Sequence, residues 1–141
     1  MLNARTIAIS IARPADEVFD FVMEPQNFLK WAFVGQSSMR HVGANDWEVE
    51  TSVGRRILRM PVPNAHGILD HYSLRHRDDV PHLIAMRVVP NGDGTELLYT
   101  MFKRPGQSDL EWESMIEWIT TDLLTLKSLL EYRSSELAAA S

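Results

Sequence analysis

The chain has 141 residues, 45% hydrophobic and 23% charged, the balance of a globular protein long enough to bury its own core, and we expect one domain over residues 1–141. A formal net charge of −5 argues against a general nucleic-acid binder, which needs clustered Lys and Arg to meet phosphates. The absence of cysteine excludes a disulfide framework, a thiol nucleophile and a cysteine metal site.

The start, Met1 to Arg5, lacks a basic segment followed by an apolar run, so no signal peptide is expected. No apolar run approaches the roughly 18 residues of a membrane helix, so no membrane span is expected. Both readings, with the lack of cysteine, fit a cytoplasmic protein.

Thr6 to Ala12 alternates, with Ile7, Ile9 and Ile11 on one face, as a half-buried strand does. Arg13-Pro14-Ala15-Asp16-Glu17 then starts a helix. Proline presets the helical φ, and the two acids complement the positive helix end. Val18, Phe19 and Val22 form its apolar face. Pro25 ends it and opens a second short helical piece with Phe28 and Trp31.

Short strands with turn signals come next. Ser37 to Val42 leads to a turn at Gly43-Ala44-Asn45. Trp47 to Val53 alternates, with Trp47, Val49, Thr51 and Val53 on one side. Arg55 to Val62, Gly67 to Arg77, Pro81 to Val89 and Thr95 to Lys103 are the remaining strands. Asn91-Gly92-Asp93-Gly94 is a hairpin turn, because Asn and Gly tolerate positive φ.

Ser108 to Leu137 reads as one long helix of roughly 45 Å. Ser108 and Glu111 have the capping-box spacing, and neither Pro nor Gly interrupts the stretch up to Leu137. Trp112, Met115, Ile116, Ile119, Leu123, Leu126 and Leu130 share one face. Glu111, Glu113, Glu117, Asp122 and Glu131 are expected mostly on the other, and Ala138 to Ser141 is expected to fray. A charge placed on the stripe, as in Ile119→Asp, is expected to unfold the protein.

Consecutive strands joined by short turns are antiparallel. The expected class is α+β: a curved antiparallel sheet of about six or seven strands around the C-terminal helix, with two short helices after the first strand. Sheet twist leaves room for a cavity between sheet and helix.

Five stretches carry a resemblance: Ile9 to Val22, Pro25 to Trp31, Gly67 to His71, Met86 to Gly94, and Thr100 to Gly106. Together they resemble the START-like, or SRPBCC, superfamily with the helix-grip fold, in its polyketide cyclase/dehydrase-like branch, within a subgroup of unassigned function. The superfamily includes lipid carriers, hormone and allergen-type binders, aromatic polyketide cyclases and co-chaperone domains. The resemblance therefore implies a fold and leaves the activity open.

His41, His66, His71, His76 and His82 are the titratable candidates near neutral pH. His66, His71 and His76 are five apart, so on one strand each points opposite to the next and they cannot share a metal. Neither a metal nor a cofactor is expected. If Leu69 faces the cavity, so does His71, and Asp70 faces away. His71 is then either an acid or base in an apolar cavity or a structural imidazole bonded to a carbonyl or a strand neighbour.

Trp31 and Trp112 are candidates for a ligand pocket as well as for plain core, and Trp47 for core. Met60, Met86 and Met115 offer an adaptable lining. Thr100, Phe102 and Ile119 complete the candidate ligand-binding set with His71. Arg87 interrupts an apolar run, either to hold an anionic head group or to pair with Glu96 or Glu48. There is no Gly-x-Ser-x-Gly, phosphate-binding glycine loop, His-Glu-x-x-His or dinucleotide fingerprint.

Three functions stand as expectations. The first is binding of a hydrophobic or aromatic small molecule between sheet and helix. The second is a cyclase or dehydratase using the same cavity, with His71 as acid or base and Tyr72 or Tyr99 as polarising donor. The third, which the resemblance implies, is a partner module of the co-chaperone or antitoxin type, or a homodimer, with an apolar patch around Trp118 or Phe33.

Overall fold

The computed structural model describes residues 1–32, 38–51 and 54–140, without the side chains of 133–140. Phe33, Ser37, Ser52 and Val53, which the sequence places in a patch or in strands, lie outside the described residues. The elements run β1 (Ala4–Ile11), α1 (Ala15–Met23), a 3-10 turn (Pro25–Asn27), α2 (Phe28–Trp31), β2 (Met39–Gly43), β3 (Asp46–Thr51), β4 (Gly54–Arg59), β5 (His71–Leu74), β6 (His82–Asn91), β7 (Gly94–Phe102) and α3 (Asp109–Ala140). Among the described residues no helix is long and apolar enough to cross a membrane.

The seven strands form one antiparallel sheet in the order β1-β7-β6-β5-β4-β3-β2. The first strand therefore lies beside the last, from Ala4 opposite Phe102 to Ile11 opposite Thr95. The order leaves β1 and β2 at open edges. Gly92, at φ 60°, takes the first central position of the two-residue turn between Asn91 and Gly94, where side chains other than Asn and Asp would be strained.

Period-two alternation sets the inner face. Thr95, Leu97, Tyr99 and Met101 of β7 are buried. Val49 of β3 and Leu58 of β4 point the same way, as do Met86 and Val88 of β6. The α3 stripe meets them: Leu123 and Leu126 have no exposed surface, and Trp112, Ile116 and Leu130 are buried. The Ser108 hydroxyl accepts the Glu111 N–H at 3.1 Å, which caps the helix start.

Four expectations change. The strand expected over Gly67 to Arg77 shrinks to His71–Leu74. At its start Asn64 competes for the backbone: its Oδ1 accepts the N–H groups of His66 and Ile68, and its Nδ2 donates to the carbonyls of Val62 and Ile68, while at its end the Asp79 carboxylate takes the Arg75 N–H. Side chains thus take part of the bonding that a longer ladder would use, and only an isolated bridge from Ile68 to Arg87 remains before His71. The strand expected over Arg55 to Val62 ends at Arg59. The tail expected to fray continues as helical backbone to Ala140. Asp122, expected on the wet face, is only 2% exposed.

Candidate functional site

The inner face holds a small polar group within an apolar surround. His71 opens β5 and is 3% exposed, and its Nδ1 lies 2.9 Å from the Leu69 carbonyl. Burial pushes the imidazole below its usual pKa, against the opposing pull of the Leu69 carbonyl and the Asp70 charge. The ring is therefore neutral. A carbonyl can only accept, so the proton sits on Nδ1 and Nε2 carries a lone pair. The imidazole and the Phe28 ring meet nearly at right angles with centroids 5.5 Å apart, and the Phe28 and Trp31 rings lie tilted with centroids 4.9 Å apart.

Trp31 is 3% exposed, and its buried indole N–H has no hydrogen-bond partner among the described residues. Tyr99 is also buried, and burial, then the Asp122 charge, raises its pKa. Its phenol stays protonated. A neutral imidazole, a phenol and an indole N–H thus lie on the core side of the sheet.

Of the candidate residues, Trp31, Met60, Met86 and Trp112 sit with His71 in the interior, and Met115 and Ile119 pack half-buried against it. Thr100 and Phe102 do not belong there. They alternate with Tyr99 and Met101, so they point outward, and the Thr100 hydroxyl bonds that of Thr6 on the outer face. β7 is apolar on both faces, and periodicity alone does not say which face is inner. Tyr72 likewise lies on the side opposite His71 and is exposed. Arg87 pairs with Asp70, not with Glu96 or Glu48, and Asp70 also accepts the Met86 N–H at 2.9 Å. Trp47 is half-buried with its ring 5.0 Å from that of His41. Sequence reasoning missed Phe28 as the ring between His71 and Trp31.

Part of the layer between sheet and helix is filled. Leu69, Leu97, Leu123 and Leu126 have no exposed surface, so no water-sized void touches them. Space opens at the strand ends, in a cleft of about 330 Å³ lined by Arg56, Ser73, Arg75, Asp79, His82 and Arg104. Arg56 pairs in register with the core residue Val49, and His82 with Ser73, two residues from His71. The cleft therefore lies on the face that carries the core, beside the loop that leads into α3.

A curved seven-stranded antiparallel sheet, β1 beside β7, two short helices after β1 and a long C-terminal helix on the inner face define a known arrangement. The chain has the helix-grip fold. NE0264 from Nitrosomonas europaea matches over 94% of this chain and 96% of its own, with TM-score 0.71 and 18% identity. Ara h 8.0201, of the Bet v 1 family, matches over 94% and 99% with TM-score 0.71 and 9% identity. DynU16, a protein of the dynemicin biosynthetic locus, matches over 91% of this chain with TM-score 0.68 and 17% identity, and this chain spans 47% of its length. No family model and no curated protein matches the sequence. At these identities the likeness establishes the helix-grip fold and nothing finer. On the outer side of the helix-grip helix, Leu110, Trp118, Leu124 and Tyr132 are exposed.

Proposed function

We propose that the protein binds a small hydrophobic or aromatic molecule between the sheet and α3, beside Trp31. The unpaired indole N–H of Trp31 carries this reading. A buried donor without a partner costs about 1–3 kcal/mol, and a ligand acceptor would recover it. The lone pair on His71 Nε2 calls for a donor on the same ligand, and Phe28 and Met60 supply apolar surface.

Native mass spectrometry of the protein purified from its own host tests the reading. A bound organic molecule is expected. Trp31→Phe keeps an aromatic ring and removes the donor. The affinity should then fall about tenfold, while the ligand-free protein becomes no less stable. The same affinity in Trp31→Phe would overturn the role of Trp31. An empty wild-type protein that also rejects aromatic probes would overturn the binding function.

The orientation of His71 favours a second reading, a cyclase or dehydratase in the manner of polyketide chemistry. Its Nδ1–H is held by Leu69, leaving Nε2 free to accept a proton from a polycarbonyl chain. The fold shared with DynU16, from a biosynthetic locus, adds to it. Loss of turnover in His71→Ala, with ligand binding kept, would separate this reading from simple carriage. Full turnover in that variant would remove His71 from the chemistry.

A further inference from the structure

We propose that the cleft at the strand ends binds a compact oxyanion, a phosphate or a phosphate ester, between Arg56, Arg75 and Arg104. The neighbouring arginines make the contrast. Arg55 and Arg59 of β4 point to the outer face, where Glu48, Glu50 and Asp46 of β3 meet them at 2.9–3.5 Å. Arg56, between them in sequence terms, points to the opposite face and lines the cleft.

Among the described residues no ion pair joins Arg56, Arg75 or Arg104 to a carboxylate. Among the described residues Asp79 is the one acid on the cleft wall. Its oxygens already accept the Arg75 N–H at 3.1 Å and the Val80 N–H at 2.9 Å. The Nε of Arg104 is buried and has no acceptor among the described residues. Burial, then the charges of Arg75 and Arg56, lowers the pKa of Arg104 against the smaller opposing pull of Asp79, so at Arg104 the neighbouring cations outweigh the acid.

Three guanidiniums and one carboxylate leave two positive charges on the cleft wall of a protein of net charge −5. Guanidinium forks match the paired oxygens of phosphate. His82, lowered to about 4 by burial and then by Arg104, stands as a neutral imidazole at the wall, and Ser73 adds a hydroxyl. At about 330 Å³ the cleft has the size of a small-ligand site. The inference holds whether or not an apolar ligand enters the interior.

The test is an amide NMR titration with inorganic phosphate near neutral pH, at ionic strength held constant with sodium chloride. Saturable shifts are expected, confined to residues 55–57, 73–82 and 103–106. Arg104→Gln and Arg56→Gln should each weaken binding about tenfold, and Arg55→Gln, which loses an already paired cation, should leave it unchanged. The same spectra report whether each variant is folded. Tighter binding of phenyl phosphate than of phosphate would support an ester ligand. Shifts that do not saturate, that chloride reproduces, or that persist unchanged in both cleft variants would overturn the proposal.

Discussion

His71 shows how one residue ties stability to pH. It is buried neutral, so its folded pKa lies below the unfolded value of about 6.5. Below that value the unfolded chain takes up a proton that the folded chain refuses. Stability from this source is complete above about pH 6.5 and falls as the pH drops, by up to about 1.4 kcal/mol per unit. His82, lowered to about 4, adds a loss of the same sign between about pH 6.5 and 4. Urea unfolding between pH 7 and pH 5 should show the slope, and His82→Asn should reduce it without abolishing it. A flat profile would mean that His71 is not buried neutral. That Leu69 and His71 share a face is legible from their spacing of two. The clamp of Asp70 on Arg87 is not, because Asp70 sits in a loop whose path Asn64 sets.

At the scale of elements, the entry into β5 and the start of α3 are the sensitive places. Gly67 has φ 71°, and a Cβ there would press into the Val88 carbonyl, whose own N–H bonds the Gly67 carbonyl at 2.9 Å. Gly67→Ala should cost more than about 1 kcal/mol in urea unfolding, through strain and steric conflict together. Gly92→Asn, where a Cβ would meet nothing within 4 Å and Asn tolerates the conformation, is the control and should cost little. Ser108→Ala removes the cap of α3 and should cost about 1 kcal/mol. The cap and the hairpin glycine are legible because each is a local geometry served by one or two residues. The inner face of β7 is not, since Leu98 and Phe102 are as apolar as Leu97 and Met101, and only the position of α3 distinguishes them.

For the whole molecule, the α3 stripe closes the core. Leu123 has no exposed surface, whereas Ile119 is half-buried. The unfolding expected of Ile119→Asp therefore moves to Leu123→Asp, whose charge cannot reach water. Leu123→Ala should cost about 2–5 kcal/mol by thermal or urea unfolding, with Ile119→Ala well below it. Equal costs at the two positions would mean that the helix is rotated about its axis, with Ile119 as deep as Leu123.

The amino-acid sequence alone determined the elements of this protein: the alternating strands, the proline-started helices, the glycine turns and the capped helix with its apolar stripe. Each depends on periodicity or on a local backbone preference, which neighbours in the chain decide between them. The tertiary structure alone decided that Thr100 and Phe102 turn outward, that Asp122 goes under the helix beside Tyr99, and that Arg56, Arg75 and Arg104 come together from separate segments. These are contacts between residues far apart in the chain. They depend on which face of each strand the long helix covers, and no short stretch of sequence carries that information.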